Sequence, residues 1–146
     1  MNILKKLLAG FAGAVALNLL HEGLKNTSPD MPRIDLVGEE ALNKVLGSFG
    51  AAISNDKKLY QATLASDVLS NALYYSLIGA GSSKFIIGRA VVSGLSAGLG
   101  AVNLPDKMGL DDEPVTKTSK TKMLTIAYYL SGALVTAVVL KALNKK

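Results

Sequence analysis

Two groups of polar residues recur at helical spacing inside otherwise apolar sequence. Asn18, His21, Glu22 and Lys25 stand at i, i+3, i+4 and i+7, which places them on one face of a helix. Asp67, Asn71 and Tyr74 repeat the arrangement further along the chain. A carboxylate, an imidazole, amides and a phenol brought together can bind a proton, a small cation or a polar head group. Carboxylate and imidazole are also ordinary ligands for zinc or manganese, so the residue types leave a divalent metal open. His21 is the only histidine, so a zincin HExxH site is excluded. The chain has no cysteine, which removes disulfides, thiol catalysis and thiolate metal sites. No cofactor motif is present.

The surrounding sequence predicts a membrane. Only 18% of the 146 residues are charged and 49% are hydrophobic, whereas a soluble domain carries about 25% charged residues. The charges are clumped, leaving four apolar stretches of roughly 18 to 22 residues, about the length needed to cross the hydrocarbon core. The expected fold is all-α: a single membrane domain built as a four-transmembrane-helix bundle, with spans at 4–24, 60–80, 85–104 and 123–143. The first stretch resembles a signal peptide, but Asn18, His21 and Glu22 are wrong for an apolar signal core, and it is read as a retained helix. Gly81-Ser82-Ser83-Lys84 is so short that the second and third spans must be antiparallel neighbours. The net charge of +5 does not indicate nucleic acid, because Lys and Arg flank apolar segments instead of forming a stripe with aromatics.

Two longer polar segments connect the spans. In the first, Pro29 and Pro32 forbid regular helix. Val37, Ala41, Leu42, Val45, Leu46, Phe49 and Ile53 then keep a helical period, predicting an amphipathic interfacial helix over 35–54 with Asp35 as N-cap. The second, 105–122, contains Asp111-Asp112-Glu113-Pro114 and a Thr- and Lys-rich stretch, and reads as a solvated connection without EF-hand spacing. Lys and Arg crowd the short segments near both termini, which favours cytoplasmic termini. Arg89, near that end of the third span, is expected to snorkel to head groups.

Because the first two spans run in opposite directions, Asn18 and Asp67 fall at similar depth, roughly 10 Å from their outer ends by helical rise. The candidate binding set is therefore Asn18, His21, Glu22, Asp67, Asn71 and Tyr74, joined by Tyr128 or Tyr129 on the fourth span, with Asn103 and Thr125 at the same level. Glu22 and Asp67 side by side would repel unless a cation lies between them or His21 carries a proton. The competing reading is structural: His21, Glu22 and Lys25 pair with Arg33 or loop groups at the water interface while Asp67 and Asn71 tie helices together. Ladders of small residues, Ala90/Gly94/Gly98 and Ser93/Ala97/Ala101 on the third span and Gly10/Ala14 and Ala9/Gly13 on the first, allow close helix contact within the chain or between copies.

Leu20-His21-Glu22, Pro32-Arg33-Ile34-Asp35 and Asp67-Val68-Leu69-Ser70-Asn71 with Tyr74-Tyr75-Ser76 resemble small bacterial membrane proteins that carry no assigned activity. The resemblance covers most of the chain and implies a bacterial inner-membrane protein, without naming a substrate. Three functions stay open: a small transporter or channel using the polar cluster for a proton, cation or polar solute; a structural or accessory subunit of a larger membrane complex; and a lipid-modifying enzyme with His21 or Glu22 as base. The expected partners are membrane lipids and either further copies of the chain or a larger complex.

Overall fold

Three of the long helices start where a short polar side chain satisfies a free backbone N–H group. Asn2 accepts from Lys5 N at 2.9 Å and opens α1 (Ile3–Leu24). Asn55 accepts from Lys58 N at 2.9 Å and opens α3 (Asp56–Ser76). Thr118 accepts from Thr121 N at 3.1 Å and opens α6 (Ser119–Asn144), four residues before the expected fourth span. Between them lie α2 (Ile34–Gly47), α4 (Ile86–Lys107) and the single turn α5 (Glu113–Thr116). These elements are taken from a computed structural model, which describes residues 1–145; all regular structure among those residues is helical.

α1 packs against both α3 and α6, and α4 packs along α6. Lys5 Nζ donates to Leu143 O at 2.7 Å, so the two ends of the chain lie together. The α3–α4 turn is at the same end, with Gly79 against Lys6 and Leu140. The two long connections therefore occupy the opposite end, called the loop end below. Gly81, with a φ of +79°, allows the α3–α4 chain reversal that a side chain would strain. The Ala90/Gly94/Gly98 ladder is used inside the chain: a Cβ on Gly94 would sit 2.7 Å from Leu130 Cα, and one on Gly98 2.7 Å from Ile126 Cα. Gly132 makes room for the buried Tyr75, whose hydroxyl donates to Tyr129 O at 2.7 Å.

The outer surface is apolar over much of its area. Leu4, Leu8, Phe11 and Leu19 on α1, Val92 and Leu99 on α4, and Met123 and Val138 on α6 are all exposed, a pattern that water would penalise and lipid would not. Among the described residues three helices are long and apolar enough to cross a membrane: α1, α4 with its preceding turn, and α6. The expected second span is α3, which matches the others in length but carries Ser66, Asp67, Ser70 and Asn71.

Three local expectations are corrected. The amphipathic helix stops at Gly47, because Gly47-Ser48-Phe49-Gly50 favours termination; Gly50 takes a φ of +74° and Ala51 N donates back to Leu46 O at 2.9 Å. Phe49 and Ile53 thus leave the helical face, and Asn43 instead exchanges two hydrogen bonds with the Ile53 backbone. The segment after Pro105 is not merely solvated: Leu110 and Val115 are buried, Arg33 N donates to Pro114 O at 3.0 Å, and Thr121 Oγ1 donates to Asp30 O at 2.9 Å. Arg89 is bound to the protein instead of lying free to reach head groups; its Nε donates to Ile78 O at 2.8 Å, in the turn that follows α3.

Candidate functional site

A cavity of about 490 Å³ opens at the loop end between α1, α3 and α4, with α2 laid across it. α4 leans on α6 and leaves α3 after the Tyr74 hydroxyl has bonded to Ser93 O at 3.0 Å, which accounts for the space. α2 can approach α3 closely because position 38 is glycine; a Cβ there would lie 2.8 Å from Thr63 Cγ2. One wall is polar, from Asn18, His21 and Glu22 on α1 and Thr63, Asp67 and Asn71 on α3. The other is apolar, from Val37 and Ala41 on α2, Ala101 and Leu104 on α4, and Leu110 and Val115.

At the deeper part of the polar wall, Asp67 joins α1 to α3. Its Oδ2 accepts from Asn18 Nδ2 and its Oδ1 from Asn71 Nδ2, both at 3.0 Å. Each carboxylate oxygen has two acceptor sites, so this arrangement leaves acceptor capacity on both oxygens. Nearer the loop end, His21 is only 4% exposed and lies between two carboxylates: Nδ1 is 3.3 Å from Glu22 Oε1, and Nε2 is 3.2 Å from Asp35 Oδ1. The Nε2 contact lacks hydrogen-bond alignment. An imidazolium could donate to both sides, whereas a neutral ring can donate to only one.

Lys25 and Arg33 complete this group from outside the cavity. Arg33 holds Asp35 in a fork, with Nε at 2.9 Å from Oδ1 and Nη2 at 2.7 Å from Oδ2. Lys25 Nζ lies 2.9 Å from Glu22 Oε2 and 3.7 Å from Asp35 Oδ2, over the Tyr60 ring. Burial alone would raise the Asp35 carboxyl, but His21 and Arg33 outweigh it and hold that group well below the usual aspartate range. Desolvation works against the Lys25 charge, yet Glu22 and Asp35 raise that ammonium above its ordinary value. Glu39, on the next turn of α2, is pushed up by burial and by the nearby Asp35 charge.

Asn18, His21, Glu22, Asp67, Asn71 and Tyr74 all line this one cavity. Tyr128 does not: its hydroxyl is directed at Met31 Sδ, and the neighbouring Tyr129 takes the lining position. Asn103 is exposed and bonded to Leu99 O on its own helix, and Thr125 is bonded to Thr121 O on α6. Glu22 and Asp67 do not form a repelling pair, since Glu22 is held by Lys25 and Asp67 by the two amides. Among the described residues no three His, Asp or Glu side chains converge to hold a metal ion. The geometry around His21 gives the reason, because its two nitrogens face carboxylates on opposite sides of the ring.

Asp35 and Thr63 were not legible as site residues. Asp35 reads as a helix cap, but the turn through Pro29 and Pro32 swings it back onto α1 with its side chain 7% exposed. Thr63 is 6% exposed, and its hydroxyl has no partner. No family model matches this chain, and neither the curated proteins nor the solved structures contain a significant match.

Proposed function

We propose that the chain is a four-span membrane protein whose loop-end cavity binds an organic cation. α3 is the fourth span in this reading: it runs antiparallel to α1, and its polar residues Asp67 and Asn71 are turned inward where Asn18 compensates them. α2 then lies over the bundle at the membrane surface with Glu40 toward water.

The observation that carries the reading is the charge of the lining. Among the described residues Glu22, Asp35 and Asp67 border the cavity and no Lys or Arg does; Lys25 and Arg33 offset Glu22 and Asp35 from outside it, whereas Asp67 has only amide partners. Carboxylates held in a poorly solvated wall attract a positive group and repel anions. The volume is in the range of small-molecule sites, far beyond what a bare ion fills, and the opposite wall is apolar. A ligand with a cationic edge and an apolar body matches both walls.

The test is calorimetric titration of the purified protein with tetramethylammonium and with an isosteric neutral compound. The cation should bind, the neutral compound should not, and Asp67→Asn should weaken the cation by about tenfold or more, as loss of a carboxylate charge from a poorly solvated site would. Equal binding of the neutral compound would overturn the assignment.

A further inference from the structure

The cavity is not sealed by neighbouring helices on every side. α3 and α4 are consecutive and antiparallel, yet they meet closely only near their connecting turn, at Tyr74 and Ser93. Toward the loop end they diverge, and the face of α4 that borders the space is made of Ser96, Ala97, Gly100 and Ala101. Two other glycines of α4, Gly94 and Gly98, are pressed against α6. Gly100 is different. A Cβ there would meet only Leu104 Cδ1 of its own helix, at 3.4 Å. Ser96 and Leu104 border the cavity and are exposed on the flank of the bundle.

Behind this slot Thr63 Oγ1, on a side chain more than nine-tenths buried that lines the cavity, has no hydrogen-bond partner, and the neighbouring Asp67 carboxylate keeps acceptor capacity on both oxygens. Unsatisfied buried polar groups are costly and uncommon. A ligand that reaches them must supply hydrogen-bonding or charged groups at its inner end and tolerate apolar, narrow surroundings at its outer end.

We infer that the cavity is loaded sideways from the bilayer, through the gap between α3 and α4, by an amphiphilic organic cation. Its head rests against Asp67 and Thr63, and its alkyl chain leaves along Ser96, Ala97 and Gly100 into the lipid. This rests on the cation-binding reading above and adds the ligand class and the route. A water-soluble cation of the same head would bind the head site without using the gap.

The experiment compares tetramethylammonium, octyltrimethylammonium and octyl sulfate in dodecyl maltoside micelles, which carry no ammonium group. It uses the full chain, Gly100→Leu and Ser96→Leu; the second variant alters an exposed position and guards against a folding defect in the first. Octyltrimethylammonium should bind the unaltered chain at least about tenfold more tightly than tetramethylammonium, the gain expected from burying roughly two methylene groups. Both variants should lower that ratio by filling the gap, and octyl sulfate should not compete. An undiminished ratio in both variants, or competition by octyl sulfate, would overturn the inference. Binding of tetramethylammonium with no gain from the octyl chain would end the sideways route alone, whereas binding of neither cation would end the cation site as well.

Discussion

Asp67 is the residue at which structure and proposed function can be separated by measurement. Its carboxylate takes one hydrogen bond across the helix interface, from Asn18, and one along its own helix, from Asn71. The two donors would not suffer equally from its removal. Asn18 Nδ2 also donates to Ala14 O at 3.0 Å, so it keeps a partner, while Asn71 is buried with Asp67 Oδ1 as the acceptor of its amide. Asp67→Leu should therefore destabilise the bundle by about 1–3 kcal/mol, mainly by stranding Asn71. Adding Asn71→Leu to that variant should recover part of the loss. The cross-helix bond can be isolated by a double-mutant cycle with Asn18→Ala and Asp67→Ala, whose coupling should fall near ~0.6 kcal/mol and below ~1.7 kcal/mol, the range for hydrogen bonds between membrane helices. Unfolding in mixed micelles of mild detergent and dodecyl sulfate gives the four stabilities. A coupling indistinguishable from zero would refute the meeting of Asn18 and Asp67, and an Asp67→Leu protein as stable as the original would refute the stranded amide.

Asp35 should give a pH-dependent stability with a defined sign: its carboxyl is held below its ordinary value of 3.8 in the fold, so its contribution is full above that pH and is lost as pH falls further. The melting temperature should drop on acidification through this window, less steeply in Asp35→Asn; parallel curves would contradict the depressed carboxyl. Gly98→Ala should destabilise by about 1–3 kcal/mol through its clash with the Ile126 backbone. Gly100→Ala should instead gain about 0.5–1 kcal/mol of helix stability, and the reverse order in thermal unfolding would show that α4 is packed differently. Because the chain has no native cysteine, single cysteines at Ser54 and Ser82 can be labelled cleanly from either side of the membrane. Opposite accessibility is expected if α3 crosses, and labelling of both from one side would remove it as a span.

The helices of this protein are written locally. Apolar runs of membrane length, Asn and Thr side chains ahead of α3 and α6, and glycines after α2 specify elements without reference to the rest of the chain, since period, capping and backbone freedom act over a few residues. The pairing of the α1 and α3 polar stripes was also legible, because consecutive spans run in opposite directions and helical rise sets the depth of each side chain. Which phenol faces the cavity was not. Tyr128 and Tyr129 are adjacent, and their directions depend on the rotation of α6, which is set by the close approach of Gly13 on α1 to Gly132 and of Tyr75 to Gly132. Asp35 reached His21 only through a proline-bound turn whose path no periodicity encodes, and the second long connection found buried positions for Leu110 and Val115 beneath α2. The cavity is likewise a tertiary product: α4 carries small residues on two faces, and the face packed on α6 leaves the other without a helix to meet. Spacing along one helix identifies both faces as permissive, but the volume left empty depends on where all the other helices come to rest.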